Sequence, residues 1–328
     1  MIPAVPMTDK MDKASLAVNG FLVLNKPVGL TSMDVVRRVK RLTGLRKRVG
    51  HGGTLDPLAE GILPICFGQA TRLMENLINE TKGYRMEVRL GLATDTYDAE
   101  GEVVEEVDPS FVTREQVEEA LQSFRGTLYQ KPPMHSALKK DGRRLYELAR
   151  QGVEVEREPR QVEVFSLKLL DFKLPFATLE SECGRGVYMR SLAHDLGQLL
   201  GCGAHISKLV RLRTGSFHLD DAVSLDEFSE AVVEGQWREL IRPLDSLLLD
   251  MKSAVIGKAV ERVLRHGQPI SLGHHGLYAG HLESYRLYSG DGRFLAVVRF
   301  DRSSNRWDPY KVFQIDEPSP YAPLGETV

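Results

Sequence analysis

A single carboxylate, Asp56, lies between a glycine-rich turn and a proline in the stretch HGGTLDPLAEGILPICFG. Pro57 restricts the backbone of Asp56 to extended conformations, so the carboxylate is held in one direction. A carboxylate held in this way can act as the nucleophile of a covalent mechanism. It can equally accept hydrogen bonds from nearby backbone N–H groups in an Asx-type turn, and this stretch alone leaves both interpretations open.

Three further residues have side chains that could work with such a carboxylate. Arg190, in GRGVYMRSLAHDLG, could keep it ionised and oriented. Tyr84 begins the stretch YRMEV, and His51 opens the glycine-rich turn. Each also has an ordinary interpretation: a surface arginine, a tyrosine that packs in or at the edge of a sheet, and a turn histidine. Their separation along the chain does not by itself bring these residues together.

The elements that must position these residues follow from side-chain periodicity and helix-capping patterns. Alternation of apolar and charged residues predicts a half-buried strand over YRMEVRLGLATDTYD, and GFLVLNKPVGLTS reads as a strand followed by a Pro-Gly turn. Capping boxes predict helix starts at Thr31 to Asp34, Thr113 to Gln116 and Ser224 to Glu227. GRGVYMRSLAHDLGQLLG reads as a strand end that turns into a helix, with an apolar face of Leu192, Leu196, Leu199 and Leu200. Strands and helices mix without regular βαβ spacing, which predicts an α+β (mixed α/β) core rather than a Rossmann sheet.

Length and composition indicate an ordinary globular protein of two folding units. The chain has 328 residues, of which 42% are hydrophobic and 27% charged. Its apolar runs, such as FLVLN and GILPICF, are the length of strands and too short to cross a membrane. Residues 1–17 lack a secretory signal and predict a flexible polar arm on a cytoplasmic protein. Cys66, Cys183 and Cys202 form no CxxC pair and the nine histidines have no ligand spacing, so neither a disulfide framework nor a metal site is predicted.

A change in the sequence near residue 250 predicts a second domain. The stretches GQPISLG, YRLYSGDGRFLAVVRFD and WDPYKVFQID read as short strands separated by turn residues. Asp291-Gly292, before RFLAVVRF, indicates a hairpin. We therefore expect the arm over residues 1–17 to be followed by a main domain over 18–250 and a small β-rich domain over 251–328.

Basic residues are concentrated in three separate stretches, although the net charge is −2. These stretches are RRVKRLTGLRKR, KKDGRRLYELARQG and SKLVRLRTG, and they include Lys139, Arg143, Arg144, Tyr146, Arg211 and Arg213. Together they could form one positive face that contacts phosphate groups, while the acidic stretch EGEVVEEVD lies on a face that a polyanion avoids. Each basic stretch could instead be the solvated surface of a helix.

Several chemistries are excluded by missing motifs. The sequence contains no GxxxxGK[ST] phosphate loop, no GxGxxG after a strand, no GxSxG nucleophile elbow and no HExxH zinc motif. The carboxylate of Asp56 therefore remains the main candidate for chemistry.

Taken together, the stretches above resemble the TruB family of tRNA pseudouridine synthases, in consistent order from about Gly20 to about Pro243. GHGGTLDPLAEGILPICFGQATRL is similar to the family's catalytic motif and places its aspartate at Asp56, and GFLVLNKPVGLTSMDVV is similar to its first motif. TKGYRMEVRLGLATDTYDAEG carries the active-site tyrosine position at Tyr84, and CGRGVYMRSLAHDLG places the family's arginine at Arg190. QKPPMHSALKKDGRRLYELARQG resembles the RNA-gripping insertion, about residues 126–158, and LVRLRTGSF resembles a further basic motif.

The resemblance implies a fold, a reaction and a set of roles. The fold is the pseudouridine synthase fold, a central mixed sheet flanked by helices, followed by a small β-rich PUA-like RNA-binding domain. The reaction isomerises uridine to pseudouridine at position 55, in the T loop of tRNA, after the base is flipped out and without a cofactor. Asp56 attacks ribose C1′ or uracil C6, Arg190 pairs with Asp56, and Tyr84 stacks on the base and is the candidate for proton removal. The implied substrate-binding residues are His51, Gly53, Thr54, Leu55, Lys26, Lys139, Arg143, Arg144, Tyr146, Arg211 and Arg213.

One residue departs from the family's pattern. Gly52 stands where the family usually has threonine, so a hydroxyl is missing from this turn and its backbone has more freedom. We expect the protein to act as a monomer on the T arm of tRNA, with no obligatory protein partner and no membrane.

Three alternatives stay open at this point. A glycosidase-like hydrolase also acts at an anomeric carbon but needs a second acid, for which Asp95 and Asp195 are the nearest candidates. A non-catalytic RNA-binding or tRNA-chaperone protein would keep the basic stretches without needing Asp56. A guide-RNA-dependent synthase that modifies ribosomal RNA would share the catalytic motif, although the long insertion favours a stand-alone enzyme.

Overall fold

A computed structural model of the chain describes residues 18–323, except 137, 141, 150, 154 and 273–278. The arm predicted over residues 1–17 lies outside the described residues. The α-helices are α1 Ser32–Thr43, α2 Met74–Asn79, α3 Arg114–Ala120, α4 Leu145–Ala149, α5 Met189–Leu200, α6 Leu225–Val233 and α7 Lys258–Arg265. Turns of 3-10 helix cover Gly68–Leu73, Pro109–Phe111, Leu121–Phe124, Leu219–Asp221, Trp237–Leu240 and Leu244–Leu247.

The described strands are numbered in chain order. They are β1 Gly20–Lys26, β2 Val49–His51, β3 Ala59–Phe67, β4 Lys82–Leu90, β5 Leu92–Thr94, β6 Val103–Glu106, β7 Gly126–Gln130, β8 Lys139–Lys140, β9 Arg143–Arg144, β10 Arg160–Lys173, β11 Phe176–Cys183, β12 Ala204–Thr214, β13 Phe217–His218, β14 Val223–Ser224, β15 Ile241–Arg242, β16 Lys252–Ile256, β17 Ser284–Ser289, β18 Phe294–Asp301 and β19 Arg306–Val312.

Most of these strands form one mixed sheet. Its path is β14-β1-β3-β12-β4-β11-β10-β7, with β13 beside β12, β15 beside β1 and β2 beside β3. β3 runs antiparallel to β1 and parallel to β12, and β12 runs antiparallel to β4. A hydrophobic cluster packs α1 and α5 against this sheet through residues such as Val36 and Leu192. The predicted mixed α/β core is confirmed, and none of the described helices is long and apolar enough to cross a membrane.

A separate four-stranded sheet, in the order β16-β17-β18-β19, begins at Lys252. β16 is parallel to β17, and the remaining pairs are antiparallel. The β-rich C-terminal part that the sequence predicts is therefore confirmed. A second hydrophobic cluster joins the two sheets, because Phe21 and Ile62 of the large sheet and Tyr288 and Val297 of the small sheet all belong to it.

The local sequence patterns form the elements that they predict. All three capping boxes have both of their reciprocal hydrogen bonds, at the starts of α1, α3 and α6. Burial alternates along most of β4, from Lys82 to Leu90. The turn at Asp291-Gly292 joins the antiparallel strands β17 and β18.

The apolar face predicted for α5 is wrong at one position. Leu192 and Leu196 are buried, but Leu199 is 58% exposed. The helix packs through its small residues: a Cβ on Gly197 would lie 2.2 Å from the backbone nitrogen of Ala204. This close approach centres the buried face on Ala193 and Gly197, and Leu199 lies at the edge of that face in the last turn.

Candidate active site

Asp56 lies in the turn between β2 and β3, and backbone contacts hold this turn against the start of α1. The Ser32 hydroxyl accepts a hydrogen bond from the Leu55 backbone N–H at 2.8 Å and donates one to the Leu55 carbonyl at 3.0 Å. The Ala59 backbone N–H donates to the Asp56 carbonyl at 3.1 Å. No backbone N–H of the described residues donates to the Asp56 carboxylate, so the carboxylate does not close an Asx-type turn.

Arg190 holds the Asp56 carboxylate from the first turn of α5. Its Nε lies 2.9 Å from Oδ2 of Asp56. The Arg190 side chain is only 4% exposed, whereas that of Asp56 is 32% exposed. The buried arginine therefore fixes the orientation of a carboxylate that solvent and a substrate can still reach.

The same guanidinium binds a second carboxylate, that of Asp98. Nη1 of Arg190 donates to Oδ2 of Asp98 and to the Thr96 carbonyl, each at 3.2 Å, and Nη2 donates to the His135 carbonyl at 2.6 Å. Asp98 is itself buried and accepts hydrogen bonds from the Thr96 hydroxyl at 2.6 Å and the Glu100 backbone N–H at 3.1 Å. Arg190 is thus shared between a partly exposed carboxylate and a buried one.

Asp98 was not among the residues singled out from the sequence. The two acids considered as partners for Asp56 lie elsewhere: Asp95 accepts a hydrogen bond from the Glu102 backbone in an exposed turn, and Asp195 is on the exposed side of α5. The sequence feature that could have pointed to Asp98 is the polar run TDTYD, which ends at Asp98 and begins at the last residue of β5. Its alternation of threonine and aspartate does not show which carboxylate turns inward.

The charge state of Asp56 reflects opposing influences. Burial raises its pKa above the ordinary aspartate value, the Arg190 guanidinium lowers it, and the Asp98 carboxylate raises it again. The net pKa is raised, which makes the Asp56 carboxylate a better nucleophile when it is ionised than a fully solvated one.

Tyr84 lies near the start of β4, partly exposed, with one side packed against the main hydrophobic cluster. Burial raises the pKa of its phenol, the Arg211 guanidinium works against this, and the Asp56 carboxylate adds to the rise. A neutral tyrosine with a partly exposed ring is suited to stacking on a base. The raised pKa disfavours the phenolate, which is the form that would remove a proton.

Two residues predicted to bind substrate, Arg211 and Lys26, are instead buried beneath the turn. Arg211 is 1% exposed and donates hydrogen bonds to the carbonyls of Gly53, Thr54 and Ile62 at 3.2, 3.3 and 2.7 Å. Lys26 is fully buried and its Nζ donates to the carbonyls of Pro27, Leu30 and Pro57. Burial lowers the pKa of Lys26 to about 8. The structure therefore uses both cations to hold the turn from inside and gives neither of them an exposed charge.

The remaining turn residues are divided between surface and core. His51 is partly exposed, and burial together with the Arg211 charge lowers its pKa, so its imidazole is neutral at pH 7. Gly53 has φ of +107°, a conformation that favours glycine, and Thr54 is exposed. Leu55 is 4% exposed and belongs to the main hydrophobic cluster, so its side chain packs in the core.

Residues 40–189 match the TruB family pseudouridylate synthase (N terminal domain), and residues 190–254 match the tRNA pseudouridylate synthase B C-terminal domain. The chain is 49% identical to tRNA pseudouridine synthase B of Symbiobacterium thermophilum, over 80% of this chain and 86% of that protein. It is 39% identical to the protein of the same name from Dehalococcoides mccartyi (strain CBDB1), over 93% of this chain and 100% of that protein. The chain belongs to the TruB family of pseudouridylate synthases.

Solved structures share the fold of this TruB family member at lower identity. A crystal structure of a Cbf5-Nop10-Gar1 complex matches with a TM-score of 0.70 and 24% identity, over 94% of this chain and 88% of that one. A structure of an H/ACA RNP bound to a substrate RNA containing 2′-deoxyuridine matches with a TM-score of 0.69 and 21% identity, over 96% and 90%. The pseudouridine synthase fold is therefore confirmed for this chain.

Gly52, where the sequence departs from the TruB pattern, packs directly against Leu77 of α2. A Cβ on Gly52 would lie 2.3 Å from Cδ1 and 2.7 Å from Cβ of Leu77. Leu77 is fully buried and belongs to the cluster that joins the two sheets. The space that a side chain at residue 52 would need is therefore filled by Leu77, and the turn keeps its position through the Gly52 N–H bond to the Pro64 carbonyl at 2.9 Å.

The basic insertion of this TruB chain is tied to the start of α5. The Gln130 side chain binds both the N–H and the carbonyl of Tyr188, and the Ser191 hydroxyl donates to the Lys131 carbonyl. Beyond this anchor, β8 and β9, two residues each, pair as an antiparallel hairpin that carries Lys139, Arg143 and Arg144, followed by Tyr146 on α4. Arg143 is exposed and donates to the Gln151 side chain, while the side chains of Lys139, Arg144 and Tyr146 lie outside the described part of the structure.

Arg213, at the end of β12, is the remaining predicted contact. Its Nη2 lies 2.8 Å from Oε1 of Glu182, and its Nη1 donates to the Gly215 carbonyl at 3.2 Å. Its side chain is partly exposed, so it lies at the surface with its charge balanced by an acid. Among the described residues, no group of three or more His, Cys, Asp or Glu side chains is placed to hold a metal ion.

Proposed function

We propose that this protein isomerises uridine to pseudouridine in the T loop of tRNA, at position 55, with Asp56 as the nucleophile and without a cofactor. The observation that carries the proposal is the arrangement of Asp56, whose partly exposed carboxylate is held 2.9 Å from the buried Nε of Arg190. The names of the relatives, tRNA pseudouridine synthase B, support tRNA as the substrate.

The geometry suits the steps that this isomerisation requires. The target uridine is stacked inside a folded loop and must be flipped out before its glycosidic bond is reached. Tyr84 offers the flipped base a partly exposed ring, and His51 offers a neutral imidazole near the turn. The Asp56 carboxylate then attacks ribose C1′ or uracil C6. The bond from C1′ to N1 breaks, the uracil rotates and a bond from C1′ to C5 forms. The bond to Asp56 then breaks, C5 loses its proton to solvent and N1 takes up a proton.

Arg190 has a direct part in this sequence. Through its Nε, the Arg190 guanidinium keeps the Asp56 carboxylate oriented while the charge of that carboxylate changes during attack and release. Because Nη1 and Nη2 are occupied by Asp98, Thr96 and His135, the guanidinium cannot turn away from Asp56. The nucleophile is thus preorganised by a group that is itself held by three further contacts.

The substrate contacts that we propose lie outside the turn. Arg143 on the exposed hairpin of the insertion, residues 126–158, and Arg213 at the end of β12 would contact the phosphates of the T arm. We further propose that residues 18–250 are the catalytic domain and that residues 251–328 form a PUA-like RNA-binding domain. The enzyme would act as a monomer in the cytoplasm, without a protein partner.

The experiment that tests the proposal measures tritium release from C5-labelled uridine in an unmodified tRNA transcript, with the purified protein alone. We expect release by the wild type and none by Asp56→Asn. Because burial raises the pKa of Asp56, the ionised carboxylate lowers stability at pH 7, so Asp56→Asn should melt at the same temperature or higher and still bind tRNA. Turnover by Asp56→Asn would contradict the nucleophile assignment, and tRNA binding without release by the wild type would favour a binding protein or a partner-dependent enzyme.

A further inference from the structure

Tyr97 has a strained backbone beside the site. It is a non-glycine residue with φ of +64°, in the left-handed region that side chains disfavour. Such strain persists only where surrounding contacts hold it, and it concentrates at functional sites. Tyr97 directly precedes Asp98, the buried carboxylate that shares Arg190 with Asp56.

Two contacts that hold Tyr97 are an aromatic stack on His194 and a hydrogen bond from the Tyr97 N–H to the Thr94 carbonyl at 3.2 Å. The two ring centroids are 3.8 Å apart and the ring planes are inclined by 14°. Nδ1 of His194 is buried and has no hydrogen-bond partner among the described residues, so no hydrogen bond at that atom orients the imidazole. Burial lowers the pKa of His194, and the ring is therefore neutral near pH 7.

His194 follows Arg190 by one turn of α5, so the two side chains project from neighbouring positions on the helix. Arg190 binds the Thr96 carbonyl and the Asp98 carboxylate, the groups on either side of Tyr97, while His194 stacks on the Tyr97 ring. Three consecutive residues are thereby held on one face of α5. On the opposite side the Tyr97 carbonyl accepts a hydrogen bond from the Ile206 N–H at 3.1 Å.

We propose that Tyr97 and His194 are positioning residues for the nucleophile, and that their stack maintains the left-handed turn that places Asp98 on Arg190. The inference rests on the proposed function, because its consequence is the orientation of Asp56. If residue 97 relaxes to a negative φ, the chain leaves it in another direction and the Asp98 carboxylate moves away from Nη1. Arg190 then loses one of its anchors and Asp56 loses the fixed position of its partner.

The kinetic test compares variants that keep or remove the stack. We expect Tyr97→Ala and His194→Ala to lower kcat for tritium release by about 10- to 100-fold with little change in KM for tRNA, because displacement of a positioned group by about 1 Å can have this effect. Tyr97→Phe and His194→Phe retain stacked rings and should stay within a few-fold of the wild type. Phe228→Leu, in a separate buried ring pair with Trp237, is the control for a general loss of stability and should not change kcat.

A double variant separates a positioning role from a merely structural one. If Tyr97 acts through Asp98, Tyr97→Ala lowers kcat in the wild-type background but has no further effect in Asp98→Asn. Equal effects in the two backgrounds, or a change confined to KM, would overturn the proposal.

Crystal structures provide a readout that does not depend on activity. The distance from Nη1 of Arg190 to Oδ2 of Asp98 is 3.2 Å, and we expect Tyr97→Ala to lose this contact while the wild type and Tyr97→Phe keep it. An unchanged contact in Tyr97→Ala would overturn the inference even if the wild type released no tritium. Absence of release by the wild type would contradict the proposed function alone.

Discussion

Two arginines are buried on opposite sides of the Asp56 turn, and their partners differ in charge. Arg190 is 3% exposed and meets two carboxylates, those of Asp56 and Asp98. Arg211 is 1% exposed, and no carboxylate of the described residues lies within ion-pair distance of it. Its guanidinium instead donates to the backbone carbonyls of Gly53, Thr54 and Ile62.

Because their partners differ in charge, the two arginines give the two sides of the turn different electrostatic fields. Around Arg190 the two carboxylates exceed the single guanidinium, so the local charge is negative when both are ionised. Around Arg211 the positive charge is uncompensated, and it adds to burial in lowering the pKa of His51 and of Lys82, which is lowered to about 8. One arginine thus holds the reacting group, whereas the other holds the backbone of the turn and lowers the pKa values of the nearby bases.

Conservative replacement of the two arginines should separate these roles most strongly in catalysis. We expect Arg190→Lys to lower kcat by about 10²-fold or more, because one ammonium cannot reproduce the forked contacts to Asp56, Asp98 and two carbonyls. Arg211→Lys keeps the charge and part of the carbonyl contacts, so kcat should fall by less than about 10-fold. Single-turnover tritium release measures both, and equal losses would remove the distinction between the two sides.

Replacing each arginine with the uncharged methionine should show the difference between the two roles in the free energy of unfolding. Arg190→Met leaves two carboxylates facing each other and should lower the free energy of unfolding by about 3–5 kcal/mol at pH 8. Without the guanidinium the pKa of Asp56 rises further above its unfolded value, and stability falls as pH increases through that raised pKa. The loss should therefore be smaller at pH 5, and Asp98→Asn added to Arg190→Met should recover part of it at pH 8.

Arg211→Met is the matched control for this measurement. It leaves buried carbonyls without donors, at about 1–3 kcal/mol for each group, but no carboxylate without a partner. Urea denaturation at pH 5 and pH 8 should therefore show a weaker pH dependence for Arg211→Met than for Arg190→Met. A stronger dependence would mean that a carboxylate is coupled to Arg211 after all.

The smallest expected effect is on the titration of His51. The Arg211 charge helps to lower the pKa of His51, and Arg190 is not among the causes of the shift. Arg211→Met should therefore raise the pKa of His51 toward its ordinary value, and Asp56→Asn, which removes a charge on the other side of the turn, should leave it in place. NMR titration of the imidazole measures both, and a shift of the same size in both variants would contradict the separation of the two fields.

Local features of the fold could be predicted because their causes lie within a few residues. Thr31 and Asp34 form a capping box over one turn of α1, and Asp291-Gly292 closes a hairpin between two alternating strands. The backbone restriction that Pro57 imposes on Asp56 is equally local. Leu199 was placed wrongly because the packing of Gly197 against Ala204, a contact between separate elements, decides where the buried face of α5 is centred.

In the candidate site, too, some features could be predicted from the sequence and others depend on contacts between separate elements. The chemical types at Asp56, Tyr84 and Arg190 indicate a carboxylate reaction, and the family resemblance supplies their grouping. Asp98 was missed, and Arg211 and Lys26 were predicted to bind substrate. A cationic side chain has the same sequence pattern whether it contacts phosphate or a buried carbonyl. Only the packing of β12 beside β3 turns Arg211 inward.

The amino-acid sequence by itself therefore determines the elements, the residue types of the site and the family, since each depends on local patterns or on motifs in order. The tertiary structure decides which charges are buried, which carboxylate shares Arg190 and why Gly52 faces Leu77. These depend on contacts such as the one between residues 98 and 190, and on burial, which changes the charge and orientation of a side chain without leaving a trace in its sequence neighbours.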